Sequence, residues 1–452
     1  MQLFKLECKR LFAGFINKIV LILFVVAGLF AIYQGAQGYK SIRVDQYKSQ
    51  VVFQKEREHV SQRENLPEAG SLAYYASSPT QWQLGPWAAL FVGESRTAMT
   101  ALKVSALSLQ SQIYNREFIN PTQQRAGGLD LGFVLVYLLP LVIGILTVTL
   151  ISDEQHAGRW RMLNALPKSA FSLILKQLLL RFAVIWGLVA GLLLTAAWAL
   201  AIKLDALFAF VLIACTVYML FWFALAAWLM SLGKSSVFNS LAFLSSWVLL
   251  AILIPGAIHL FLSQQFNSNT PLQITLQQRM TMNDGWDKDK QAALDAFLKH
   301  EPTWQNTAPL GEAFDWKWYF AQQHLSDIAV EQAWQSYLQN LDARQTSLNN
   351  LSKLSPTLFF QLKLNQLANT AEQDRQSYLK EVAQYHQQVR HYFYDFLFFA
   401  KPISKIDIEN FPLFQAKQPA AKIELVALFS SALLVLFVAA LALFRLRRVS
   451  PV

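Results

Sequence analysis

The stretch ALFAFVLIACTVYMLFWFALAAWLMSL, residues 206–232, decides the fold class. It holds no Asp, Glu, Lys or Arg. Crossing the hydrocarbon core of a bilayer takes about 20 apolar residues. Inside lipid the backbone has no water to bond, so such a segment must be helical. Working outward, five more stretches share its character: 17–37, 131–152, 178–201, 237–260 and 424–444. Short breaks, Lys203 to Asp205 and Gly233 to Ser236, separate the middle ones. The sequence therefore predicts an all-α integral membrane protein with six transmembrane helices.

Composition fits this reading. Of 452 residues, 54% are hydrophobic and 15% charged, against about 25% charged in an average soluble domain. The shortfall is uneven, because residues 38–130 and 264–423 have ordinary polar composition. The expected layout is a cytoplasmic N-terminus with span one (1–37), a first insert (38–130), spans two to five (131–263) with a cytoplasmic loop at 153–177, a second insert (264–423), and span six with a cytoplasmic tail (424–452). The run from Ile19 to Ala36 is long for a signal peptide and lacks a small-residue cleavage site, so it is read as a retained helix.

Orientation follows from Lys and Arg in short flanks. Lys5, Lys9, Arg10 and Lys18 lie before or at the start of span one. Arg159, Arg161, Lys168, Lys176 and Arg181 lie between spans two and three, or at the edge of the third. Lys234 lies between spans four and five, and Arg445, Arg447 and Arg448 follow the sixth. With six spans all four regions share one side, the cytoplasmic one, and both inserts lie outside. These flanks also account for the formal charge of +10, with anionic lipid headgroups as partners. No basic stripe interleaved with aromatics exists, which argues against nucleic-acid binding.

Within the spans, Gly187 and Gly191 form a G-x-x-x-G pair whose simplest use is close packing inside the chain. Pro140 and Pro255 each remove a backbone donor, and a kink is expected at both. No ionisable residue occupies the middle of a span, unlike secondary transporters, which bind their coupling ion there. Cys8 and Cys215 fall outside both inserts, so no disulfide is expected in them.

The second insert reads as helical. Tyr378, Val382, Tyr385, Val389 and Tyr392 fall on one helix face, and Leu325, Ile328, Trp334, Leu338 and Leu341 make a looser stripe. The first insert reads as a charged helix from Tyr39 to about Glu64, an aromatic loop, and a second helix from Arg96 to about Tyr114. The two inserts are expected to pack into one mostly helical extracytoplasmic domain, with Trp82, Trp87 and Phe91 at their contact. No metal site is expected, for His386 and His391 are five apart and His300 and His324 lack a ligand-spaced neighbour. No H-E-x-x-H, C-x-x-C or G-x-S-x-G occurs, and Gly233-Lys234-Ser235 lacks the first glycine of a phosphate loop. No enzyme activity is expected.

The loop after span two reads SDEQHAGRWRMLNALP, residues 152–167. Ser152 with Gln155 fits a capping box, and Pro167 stops the helix. The series Glu154, Gly158, Arg159, Leu163, Leu166 and Pro167 resembles the cytoplasmic motif of ABC-2 type permeases. Gly85–Glu94, Leu354-Ser-Pro356, Leu367–Thr370 and Trp247 with Pro255 narrow the resemblance to the subclass with a large extracytoplasmic insert, related to the permeases of multicopper-enzyme maturation. The resemblance implies a multi-pass permease subunit in a bacterial inner membrane, docked through those six loop residues on a separate cytoplasmic ABC ATPase. It also implies pairing with a second permease chain. ATP and Mg would sit on the ATPase, and no cofactor is expected on this chain. The alternative is a non-transporting scaffold or sensor whose extracytoplasmic domain binds a ligand or partner.

Overall fold

A computed structural model describes residues 2–114, 129–160, 162, 170–266, 271–311, 313–417 and 425–446. The chain is overwhelmingly helical. A short helix α1 (Gln2–Ala13) precedes α2 (Phe15–Ser61). The first polar stretch holds α3 (Ala69–Tyr75), strands β1 (Ser78–Gln81) and β2 (Ala101–Val104), and α4 (Leu109–Tyr114). Four apolar helices follow: α5 (Leu131–His156), α6 (Ala170–Leu200), α7 (Ala206–Met230) and α8 (Ser236–Gln265). The second polar stretch holds α9 (Pro271–Asp284), α10 (Lys290–His300), α11 (Trp316–Leu351), α12 (Pro356–Leu367), α13 (Glu372–Phe398) and α14 (Lys405–Glu409). The apolar helix α15 (Leu425–Leu446) comes last.

Among the described residues five helices, α2 and α5 to α8, are long and apolar enough to cross a membrane, which makes this a multi-pass membrane protein. In α15 the apolar part with described side chains, Ala432–Leu446, is shorter than these.

Span one does not end where its apolar run ends. Helix α2 continues through the charged stretch as one helix of 47 residues, about 70 Å at 1.5 Å per residue. Nothing between Gln37 and Ser61 breaks it: there is no proline, and Gly38 is the sole glycine.

Two large hydrophobic cores result, beside two small clusters around Leu262 with Leu348 and around Val330 with Trp334. One is the bundle core, built around Leu135, Ile143, Val189, Cys215, Met219 and Trp222. The other joins both polar stretches: Trp82, Leu102 and Val104 from the first pack with Phe297, Tyr378, Val382, Tyr385 and Val389 from the second. Thr80 Oγ1 lies 2.7 Å from the Tyr378 hydroxyl, and the Trp82 ring stacks on Tyr378 at 6.2 Å. Gln46 of α2 is buried and donates to the carbonyls of Trp82 and Thr100, both at 3.0 Å, which ties this unit to the rod.

Three expectations need correction. The segment from Arg96 to Tyr114 is not one helix: Ala101–Val104 forms an antiparallel pair with Ser78–Gln81, so the polar unit is not purely helical. The alternating burial of Ala101, Leu102, Lys103 and Val104 has the period of two that marks a strand. In α11 the apolar stripe is not the main buried face: Trp334 is buried, Leu325 and Leu338 are half-buried against the cores, and Phe320, Ala321, Gln323, His324, Ser326 and Val330 are buried beside them. Finally, Gly187 and Gly191 do not pack inside the chain. Nothing lies within 4 Å of a Cβ built on either. Ala183, Gly187, Gly191 and Thr195, four apart, form an exposed ridge of small residues on α6.

The buried polar face of α11 carries a consequence. Arg390 is fully buried, donating to Asp327 at 2.5 Å and to the Ala106 carbonyl at 3.1 Å. His324 Nδ1 lies 3.2 Å from the Tyr394 hydroxyl. Burial pulls the His324 imidazole down from its usual 6.5 to about 3, helped by Arg390 and two neighbouring histidines. Below about pH 6.5 the unfolded chain protonates this ring and the folded chain does not, so stability falls as pH drops towards 3. At pH 5 the term is on the order of 2 kcal/mol. We predict that hydrogen-exchange protection of α11 and α13 falls between pH 7 and pH 5, and that His324→Gln removes about that much of the fall. An unchanged pH dependence in the variant would refute the assignment.

Candidate functional site

Two clusters stand at opposite ends of the bundle. At the first, the bundle meets the polar unit, and proline chemistry sets the terms. Pro140 and Pro255 each follow a π-helical turn, Val134–Leu138 and Leu249–Leu253. A proline has no N–H, so a carbonyl one turn earlier loses its helical donor. Left unpaired in an apolar interior, such a group costs about 1–3 kcal/mol. At Pro255 the Ile254 N–H goes to the Leu249 carbonyl, so the Leu250 carbonyl is the one left over, and at Pro140 the Leu139 N–H goes likewise to Val134. A carbonyl in each turn bonds a hydroxyl. Tyr218 of α7 donates to the Val136 carbonyl at 2.6 Å, and Ser355 donates to the Leu250 carbonyl at 2.5 Å.

Ser355 also caps α12, accepting from the Leu358 N–H at 3.1 Å. Helix α12 is thereby seated on the bundle. Phe360 stacks on Tyr218 at 4.3 Å, and Phe360, Leu364 and Leu367 are buried in the bundle core, each contributing about 1.5–3 kcal/mol. Past its end Asn369 turns with φ 55°, a left-handed conformation that Asn tolerates better than most residues. The turn aims Thr370 at the first polar stretch, where its hydroxyl donates to the Phe91 carbonyl at 2.7 Å. The Glu94 N–H donates back to the Thr370 carbonyl at 2.8 Å. A Cβ on Gly93 would meet that carbonyl at 2.5 Å, and Gly93 has φ +47°, so glycine is required there. Asp130 closes the junction, accepting from Val92 N–H at 2.9 Å and Phe133 N–H at 2.7 Å as the N-cap of α5.

Gly85–Glu94 thus touches Leu367–Thr370, and Ser355 touches the Pro255 turn. Of the three aromatics expected at the insert contact, Trp82 stacks on Tyr378 of the second stretch. Trp87 turns instead to Phe208 of α7, 6.1 Å away, and stacks on Phe91. Phe91 is fully buried and meets Thr370 through its carbonyl.

The second cluster brings together α1, the end of α5 and the starts of α6 and α8. The carboxylate of Glu154 is buried, 3% exposed, between Arg10 and Arg159, which are 44% and 55% exposed. Arg159 Nε donates to it at 2.7 Å, and Arg10 Nη2 donates to its other oxygen. Gln177 donates to Glu7 at 3.0 Å, holding α1 on α6. Arg181 is buried and donates to the Leu146 carbonyl at 2.7 Å, beside the break in α5 at Val148–Thr149. Ser236 donates to Asp153 at 3.0 Å.

Here the capping-box reading fails. Ser152 lies inside a helical segment, Leu150–His156, and its hydroxyl donates to the Thr149 carbonyl. The loop helix does not start at Ser152; the preceding helix ends at Gly158, whose φ of +70° is left-handed. Trp160 is buried in the bundle core. Leu163, Leu166 and Pro167 lie outside the described residues. Sequence reasoning missed Arg10 as a partner of Glu154, since 144 residues separate them.

Elsewhere His324 and His391 both approach Glu301, at 3.7 Å. Among the described residues no group of three His, Cys, Asp or Glu is placed to hold a metal ion.

A family model described as a domain of unknown function, DUF3526, matches residues 272–417. This run covers α9 from its second residue through α14, with Ser355 and Thr370. Neither the curated proteins nor the solved structures contain a match to this chain.

Two variant sets test these clusters. Ser355→Ala leaves the Leu250 carbonyl unpaired and should cost about 1–3 kcal/mol, read as a lower melting temperature in lipid nanodiscs; no change would show that the hydroxyl is dispensable. At the other end Glu154→Lys places a third cation between two arginines. It should destabilise by about 3 kcal/mol, whereas Arg159→Ala, at an exposed position, should change the melting temperature little. Equal effects of the two would contradict a buried carboxylate at the centre.

Proposed function

We propose that the chain is the permease subunit of an ABC-2 type transporter, with six spans, both termini cytoplasmic and the polar unit outside a bacterial inner membrane. The observation that carries this reading is the end of α5. A buried Glu154, a left-handed Gly158 and a half-exposed Arg159 stand where the resembled family carries its coupling motif. Arg10 and Arg159 present cations around a satisfied carboxylate, a surface suited to an acidic partner. A separate ATPase would supply the energy, with ATP and Mg bound there.

A second permease chain, the same or a similar one, completes the assembly. The exposed ridge of Ala183, Gly187, Gly191 and Thr195 supports that partner, because small residues let helices approach closely in lipid. The scaffold or sensor reading keeps one supporting observation, a cavity in the polar unit described below.

The pure chain in nanodiscs should neither bind nor hydrolyse ATP. Hydrolysis should appear with a co-purifying ATPase, and Arg159→Glu should weaken its stimulation by about tenfold, the worth of one charge-assisted contact. Robust hydrolysis by the chain alone, or no ATPase in the native complex, would sink the permease reading. Separately, Gly187→Leu with Gly191→Leu should lower the dimer fraction seen by crosslinking in membranes. An unchanged fraction would place the interface on another helix.

A further inference from the structure

The far end of the α2 rod carries a cavity of about 380 Å³ that neither cluster uses. It lies between the last turns of α2, helix α3, and the stretch from Tyr392 to Phe411. Counting from Gln37, where the apolar run of α2 ends, Arg57 is about 30 Å further along the axis.

Its floor is apolar. Phe53 approaches Phe411 at 6.2 Å, and Phe411 also meets Tyr392 at 5.4 Å and Phe393 at 5.8 Å, with Ile408 alongside. Its rim is cationic. Arg57 and Arg63 line it, with His59, against a single carboxylate, Glu56. Neither Arg57 nor Arg63 has an ion-pair partner among the described residues. Small-molecule sites commonly measure about 300–1,000 Å³, mostly apolar with a few oriented polar groups. A spare pair of guanidinium groups at the mouth of an aromatic cleft suits a ligand with an apolar body and an anionic head.

We propose that this cavity binds a single-chain amphiphile with a carboxylate or phosphate head. The chain lies on Phe53, Phe393 and Phe411, and the head bonds Arg57 and Arg63. Both features of the cavity are needed for selective binding. The aromatic floor accepts any greasy body, and the arginines select the charge of the head. The cavity lies beyond the length of the membrane-crossing part of α2, so an occupant there has left the bilayer. This inference does not depend on the permease reading.

The test uses the full chain in nanodiscs and a diazirine-bearing dodecanoate, photocrosslinked and mapped by mass spectrometry. Labelling should fall within residues 53–63, 71–77 or 403–411. Unlabelled dodecanoate or dodecyl phosphate should displace the probe, the better of the two identifying the head. Dodecyltrimethylammonium should compete about tenfold more weakly, the scale of one charge-assisted hydrogen bond. The double variant Arg57→Gln, Arg63→Gln changes half-buried or exposed side chains and should cut labelling about tenfold. Ala76→Phe, which fills the cavity, gives a second check. Labelling confined to the apolar helices, equal displacement by the cationic amphiphile, or full labelling of the arginine variant would each overturn the proposal.

Discussion

A carbonyl inside an apolar bundle must be paired, and two prolines in this chain leave two carbonyls that the helices cannot pair. The Ser355 hydroxyl answers that constraint at Pro255, and the Tyr218 hydroxyl bonds the Val136 carbonyl in the turn before Pro140. The consequences reach beyond two hydrogen bonds. Ser355 belongs to the second polar stretch, so pairing the Leu250 carbonyl fixes where that stretch enters. The same side chain caps α12 and sets its direction. Once α12 lies along α7, Asn369 and Thr370 reach the Phe91–Glu94 segment, and that segment is held on α5 by Asp130. The junction is therefore a chain of contacts, each dictated by the preceding one.

The rod α2 supplies a second constraint. Its Gly28 lies under Leu192 of α6, and a Cβ on Gly35 would fall 1.8 Å from the Ala89 carbonyl. The approach to backbone requires glycine at Gly35, whereas at Gly28 the end of the Leu192 side chain could give way. Beyond them Gln46 holds both sides of the strand pair, and Phe53 reaches the cavity. One continuous helix thus passes the bundle, the junction and the cavity in order. An uninterrupted helix resists bending, so these three sites keep their relative positions unless the rod itself moves.

Much of this was legible in the sequence, and what was not has physical reasons. The apolar helices were plain because a bilayer imposes length and uniform apolarity on each. The stripe from Tyr378 to Val389 was legible because its buried residues are apolar at helical spacing. Helix α11 was not, because His324, Gln323 and Ser326 are buried through specific hydrogen bonds that periodicity does not encode. The strand pair was missed because four-residue strands give little pattern. At the candidate sites the residue types were readable but their partners were not. Glu154 was readable as part of the loop motif, and only the fold brings Arg10 to it. The outward turn of Gly187 and Gly191 likewise depends on which face of α6 meets α2 and α7.

Charge placement connects the two clusters through α5. Its N-terminal cap, Asp130, accepts from Val92 in the junction, while Glu154 at the other end holds Arg10 and Arg159. Between them the helix is not uniform. It holds a π-turn at Val134–Leu138 and a break at Val148–Thr149, and the piece from Leu139 to Thr147 between these is regular and mostly buried. Tyr218 pins the first irregularity and Arg181 the second. Such a helix can shift as a short rigid segment between two sites whose hydrogen bonds come from side chains, at less cost than breaking helical turns. On the permease reading, a push on the arginines around Glu154 would travel along this segment to Val92 and Thr370, and so to the polar unit. The same geometry explains why ionisable groups gather at the two ends of α5 and not along it: a charge in the middle would meet only the apolar side chains of α7 and α8, with nothing to solvate it.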